Sequence, residues 1–239
     1  MLTLTTQDKI NEKALYSAIK GRKITTARFR LPYTFEQTRT MLATFCRVEV
    51  ESRGRQWNET PEYAKHIDAV AQWLTDPGDS TFGLFLCGDK GNGKTTLMKG
   101  LRSMYHYIYS DETPSKLETH PVKYGFEIVD AKTILRLAVA FSHPSKENIQ
   151  ERGRYSILRD VECLCVDDLG TEPRESMHYG DIITAVTDLM YYRYDRMLTT
   201  FATTNLAASE IADYYDERVA DRFREMMKQV NFKHEKSFR

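Results

Sequence analysis

The residues with the clearest chemical meaning form one run, Gly88-Asp89-Lys90-Gly91-Asn92-Gly93-Lys94-Thr95. The pattern G-x-x-x-x-G-K-[ST] suits a loop whose successive backbone N–H groups face phosphate oxygens. Gly88, Gly91 and Gly93 permit the tight curl, and a helix opening at the end of the run already favours an anion. Lys94 then reaches the β- and γ-phosphates as a mobile point charge. Thr95 offers Mg²⁺ a hydroxyl, and Thr96 follows in the same turn.

A second pattern is Cys163-Leu164-Cys165-Val166-Asp167-Asp168, an apolar strand ending in two acids. Paired carboxylates repel, and need solvent, a proton or a cation. Beside a phosphate loop, Asp167 can bind the metal, directly or through water, and Asp168 can orient or deprotonate an attacking water. A third strand-like stretch, residues 198–205, ends in polar residues. In a parallel sheet, ligands gather at the carboxyl ends of strands, so Asn205 is placed to hold that water and sense the γ-phosphate. A turn residue leading into a helix is the plainer alternative. Fourth, Arg218 and Arg222 lie one turn apart beside a buried face of Val219, Phe223 and Met226. Two guanidiniums there can contact phosphate, in cis or in a neighbouring subunit, or can pair internally with Asp221 and Glu225.

Elements must hold these groups in place. Residues 82–87 suit a buried strand, and residues 95–108 set Leu97, Leu101, Met104, Tyr105 and Ile108 on one helical face. Residues 122–129 are strand-like, and Asp130 can cap a helix using Ile134, Leu135, Ala138 and Phe141. Residues 149–158 read as helix and 161–166 as a fully apolar strand. A helix over 181–194, a strand at 198–203 and short helices near 209–214 and 217–228 follow. Strands alternating with helices imply a parallel sheet covered on both faces, an α/β fold. Upstream, Thr60 can cap and Pro61 open a helix with Tyr63, Ile67, Val70, Ala71 and Leu74 on one face, and residues 15–20 and 35–48 form shorter helical pieces. The turn-rich Thr75-Asp76-Pro77-Gly78-Asp79-Ser80 divides a small, mainly helical N-terminal domain (1–77) from the nucleotide domain (78–239).

Composition sets limits on function. With 239 residues, 41% hydrophobic and 28% charged, the chain can bury a sizeable core and is not a disordered type. Lys+Arg and Asp+Glu number 34 each, so whole-molecule charge does not draw it to nucleic acid. A local basic stripe remains: Lys20, Arg22, Lys23, Arg28 and Arg30 are either a solvated surface or a patch for phosphate or a partner. No apolar run approaches the ~18 residues of a membrane helix. The first residues lack a signal peptide's basic and apolar regions, so a cytoplasmic chain is expected. Cys46, Cys87, Cys163 and Cys165 form no C-x-x-C pair, which points to buried free thiols in a reducing compartment.

The ordered set of Gly88 to Thr95, Asp167-Asp168-Leu169-Gly170, Arg193 in Tyr192-Arg193-Tyr194, Thr203-Thr204-Asn205, Arg218 to Arg222 and Ser237-Phe238-Arg239 resembles the DnaC/IstB-like AAA+ ATPases. These include bacterial helicase loaders and transposition helper ATPases. The resemblance covers about residues 78–239. It departs at Asp168, where many AAA+ proteins carry Glu, which suits slow turnover. It implies an AAA+ P-loop sheet sandwiched by helices, ATP and Mg²⁺ as cofactors, and slow ATP hydrolysis. Asn205 becomes the sensor-1 residue, Arg222 or Arg218 the arginine finger, and Arg239 the sensor-2 arginine. The activity implied is loading of a hexameric replicative helicase onto single-stranded DNA. Self-association then runs through the ATP sites, and the N-terminal part grips the helicase. The single strand is expected against Lys132 to Phe141 or the Tyr105/Tyr107/Tyr109 cluster, the latter better suited to core packing. An IstB-like ATPase acting with duplex DNA and a transposase is the alternative. A small-molecule kinase lacks support, since no arginine-rich lid is evident. A protein that uses ATP only as assembly glue is the remaining rival.

Overall fold

A strand buried on both faces shows no alternation of inside and outside. In the computed structural model, which describes residues 11–20, 30–109, 125–178 and 181–232, β1 (Gly83–Gly88) and β6 (Thr199–Thr204) are buried along their whole length. Among the described residues they join β2 (Glu127–Asp130), β3 (Cys163–Leu169) and β7 (Met227–Phe232) in one sheet. Every pairing is parallel and the order is β2-β3-β6-β1-β7. The α/β class expected from strand–helix alternation is what the chain adopts. Because β6 lies between β1 and β3, the ends of these three strands sit side by side.

Helices cover both faces. One core joins α5 (Ala131–Ser142), α6 (Ile149–Asp160), α7 (Ala185–Asp195), α8 (Ile211–Tyr214) and α9 (Glu217–Met226) to the sheet through Val129, Leu164, Val166, Ala202 and their neighbours. Asp130 caps α5 as expected, its side chain accepting from Thr133 N–H at 2.9 Å. The opposite core joins α4 (Lys94–Ile108) to α2 (Phe35–Glu51) and α3 (Pro61–Thr75). Thr60 caps α3 and Pro61 opens it.

That second core changes the expected domain picture. Leu42, Cys46, Tyr63, Ile67, Val70, Trp73 and Leu74 share it with Leu84, Leu86, Leu97, Phe201 and Phe232. Gly100 makes the approach possible, since a Cβ there would lie 2.6 Å from Cys46 Sγ. Residues of α2 and α3 therefore share one core with the sheet and α4, across residue 77. Arg30, one of the basic cluster, is structural too. Its guanidinium lies 4.1 Å over the Trp73 ring and donates to the carbonyls of Asp76, Asp79 and Thr81. Helix α1 (Glu12–Lys20) precedes this layer. Arg22, Lys23, Arg28, the first residues of the 122–129 strand and Arg239 lie outside the described residues.

Two expected helices are corrected. The helix begun at Glu217 stops at Met226, and Met227–Phe232 is strand β7, paired with β1. Its burial alternates only loosely around Lys228, Gln229 and Asn231, as suits an edge strand of weak β propensity. The helix expected from residue 181 begins only at Ala185. Before it, β5 (Asp181–Ile183) forms an antiparallel pair with β4 (Ser176–His178). The β-branched Ile182-Ile183-Thr184 run favours that extended start.

Candidate functional site

The loop from Gly88 to Gly93 leaves β1 and enters α4 with three left-handed glycines: Gly88 at φ 121°, Gly91 at 83° and Gly93 at 88°. Two of them are also pressed by neighbours. A Cβ on Gly88 would meet Phe232 O at 2.4 Å, and one on Gly93 would meet the Tyr63 ring at 2.7 Å. Strand β7 and helix α3 thus back the loop from either side. Asp89 N–H donates to Phe232 O at 2.9 Å, and Asn92 Nδ2 to the same carbonyl at 3.3 Å. Asn92 is buried and braces the loop, whereas Asp89 and Lys90 are exposed.

Lys94 turns its ammonium back under the loop, donating to Gly88 O at 2.8 Å, Asp89 O at 2.6 Å and Asn205 Oδ1 at 3.2 Å. Burial pulls its pKa below the usual lysine range, opposed chiefly by the nearby Asp168 charge. Thr95 Oγ1 donates to Asp167 Oδ1 at 2.9 Å, and Thr203 Oγ1 donates to the same oxygen at 2.5 Å. A hydroxyl beside a carboxylate is a hard-oxygen pair that would suit Mg²⁺. Among the described residues, no group of three His, Cys, Asp or Glu could hold a metal on its own.

Asp168 owes its aim to a break in the sheet. The β3–β6 register shifts between Val166 and Leu169, and Asp168 takes φ 55° at that irregularity. This left-handed backbone, uncommon outside glycine, is held by the Asp168 N–H donating to Thr203 Oγ1 at 2.9 Å. Asn205 Nδ2 points at Asp168 Oδ1, 3.5 Å away. Lys94, Asn205 and Asp168 form one row, with Thr95 and Asp167 beside it. All five line a cleft of about 770 Å³, together with Lys90, Gly91, Asn92, Gly93 and Thr96. The four motifs expected to converge do so for three; Arg218 and Arg222 on α9 are not among the lining residues.

On α9 the expected internal pairing is different. Asp221 and Glu217 are taken by Arg224, while Glu225 accepts from the Tyr194 hydroxyl. Arg222 stacks on Tyr191 at 3.9 Å and Tyr194 at 5.0 Å, 4.0 Å from Asp195. Arg218 is exposed at the helix start.

Neither a family model nor a curated protein matches the chain. Among solved structures, DnaI matches with 20% identity over 79% of this chain and 92% of that one, at a TM-score of 0.51. The chain shares the fold of DnaI. The DnaC helicase loader matches with 18% identity over 73% of this chain and 92% of that one, TM-score 0.49. AMPPCP-bound DnaA from Aquifex aeolicus matches with 13% identity over 76% and 50%, TM-score 0.49.

The cleft also contains residues that motif reading missed. Val50, Arg53, Arg55, Gln56, Trp57, Asn58 and Tyr63 line the cleft from the α2–α3 side, and Lys99 and Thr171 complete it. Trp57 meets Tyr63 edge to face, ring centres 5.7 Å apart. An aromatic and basic segment some thirty residues before a phosphate loop has no fixed spacing to betray it; only the packing of α2 and α3 brings it there.

Proposed function

We propose that the chain is an ATP-dependent helicase loader, placing a hexameric replicative helicase on single-stranded DNA at the start of replication. The observation that carries the reading is the row Lys94, Asn205, Asp168 beside the Thr95–Asp167 pair, on a fold shared with DnaI and within a motif set resembling the DnaC/IstB-like ATPases.

In this reading ATP lays its triphosphate along Gly88 to Thr95 and its base toward Trp57 and Asn58. Thr95 and Asp167 would hold Mg²⁺, which would supply positive charge against the phosphates. Lys94 leaves its loop carbonyls for the phosphates. Asp168 takes a proton from the attacking water, and Asn205, already between Lys94 and Asp168, fixes that water and registers the γ-phosphate. Aspartate, a methylene shorter than glutamate, suits slow turnover. Among the described residues, the arginines that line the cleft are Arg53 and Arg55 on its α2–α3 side, and the transition-state cation comes from α9 of a neighbouring subunit, as Arg218 or Arg222. ATP then acts as both fuel and assembly contact. Arg239 contributes from the sensor-2 position. The setting is the cytoplasm; among the described residues, no helix is long and apolar enough to cross a membrane.

Loading onto a circular single strand, which offers no free end for threading, tests the activity. The purified chain with its host's replicative helicase and ATP should leave the ring bound to the circle, and Lys94→Ala should not. Failure to load, with ATP-dependent binding to duplex DNA and capture of a transposase instead, would favour the transposition role.

A further inference from the structure

We propose that Glu172 and Tyr215 are positioning residues that fix the arginine-bearing start of α9 relative to the subunit's own nucleotide site. The proposal rests on reading Arg218 and Arg222 as arginines offered to a neighbouring subunit.

Glu172 is only 3% exposed and makes no ion pair among the described residues. Burial pushes its carboxyl above the usual glutamate range. A carboxylate at such a place is costly unless its oxygens are satisfied, and here they are. Its Oε2 accepts the Gly170 N–H at 3.0 Å and its Oε1 accepts the Tyr215 hydroxyl. The Gly170 N–H also reaches the Tyr215 oxygen at 3.0 Å, closing a three-membered ring of contacts. The Tyr214 hydroxyl donates to the Glu172 carbonyl, and the Arg174 guanidinium lies 4.6 Å over the Tyr214 ring. An apolar cluster would fill this corner as well; hydrogen bonds fix its orientation besides.

What the clasp joins gives it a use. On one side, the Asp168 carbonyl accepts from Thr171 N–H at 3.3 Å and Thr171 Oγ1 at 2.8 Å. Gly170, at φ 84°, packs against Leu206, the neighbour of Asn205. On the other side, Tyr215 ends α8 and Asp216 caps α9. The Asp216 carboxylate accepts Val219 N–H at 2.7 Å and the Tyr191 hydroxyl at 2.8 Å, and Arg218 follows two residues later. A shift of the Asp168 segment therefore reaches the start of α9 through short, directional contacts. These contacts hold the arginine-bearing start of α9 at a set place relative to Asp168.

Mixed subunits isolate this role. Arg218→Ala/Arg222→Ala subunits retain their nucleotide site but lack the arginines; Lys94→Ala subunits retain the arginines. Turnover in the mixture reads the donor's helix alone. Lys94→Ala should restore hydrolysis, and donors also carrying Tyr215→Phe or Glu172→Gln should restore about tenfold less or worse. Circular dichroism and a cooperative melt check that each donor is folded. If one double variant does not fold, the other decides. Full restoration by a folded Tyr215→Phe or Glu172→Gln donor overturns the clasp and leaves the shared site standing. No restoration by Lys94→Ala itself overturns the shared site, and the proposal with it.

Discussion

Lys94 holds three oxygen acceptors in a buried setting, so its charge is already aimed and partly desolvated before a phosphate arrives. Removing it leaves the triphosphate facing backbone N–H groups alone. Lys94→Ala should reduce ATP affinity by about a hundredfold or more, read by titration calorimetry. Asp168→Asn removes the proton acceptor and keeps the shape. ATP should still bind, while turnover falls by about 10² or more; undiminished hydrolysis would remove Asp168 as the base. The same variant has a pH signature. Asp168 is the main charge holding the Lys94 pKa up against burial, so its loss lets Lys94 deprotonate at lower pH. The alkaline decline in ATP affinity should therefore begin at a lower pH in Asp168→Asn than in the unaltered chain.

Elements carry these residues, and one buried arginine does much of the joining. Arg193 on α7 is fully buried, and its guanidinium donates to the carbonyls of Leu158, Arg159 and Val161 at the end of α6 and to Thr199 O and Thr200 Oγ1 of β6. Burial lowers its pKa to about 10. Arg193→Met keeps the length and leaves those carbonyls unpaired, a loss of about 3 kcal/mol, or roughly 10 °C in melting temperature. ATP affinity should change far less than melting. Arg193 is visible in the sequence only as part of a family likeness; nothing in Tyr192-Arg193-Tyr194 reveals that it caps a helix end 32 to 35 residues upstream. The phosphate loop, by contrast, is legible because one strand–loop–helix unit contains all of its chemistry. Asp167 and Asn205 are legible because parallel strands put their ends together. Strand β7 is not, since Lys228, Gln229 and Asn231 are poor strand formers held by pairing to β1. The Val50-to-Asn58 wall of the cleft is not, since it depends on α2 and α3 joining the core of the sheet and α4.

At the scale of the molecule, the chain carries its cleft at the ends of β1, β3 and β6 and an arginine pair on α9 outside that cleft. Arg218 is exposed, whereas Arg222 must give up its stacking on Tyr191 and Tyr194 to reach a neighbour. If the site is shared, Arg218→Ala or Arg222→Ala subunits that have lost turnover regain it on mixing with Lys94→Ala, and the variant so rescued names the finger. Absence of rescue for both places hydrolysis within one chain. In the proposed function, ATP assembles these subunits on a ring helicase. The most direct measurement is the mass of the species formed by the purified chain and its host's replicative helicase, with and without ATP and Mg²⁺. A discrete stoichiometric complex that depends on Lys94 is the predicted result. Separate masses under every condition, with the chain assembling on duplex DNA instead, would contradict it.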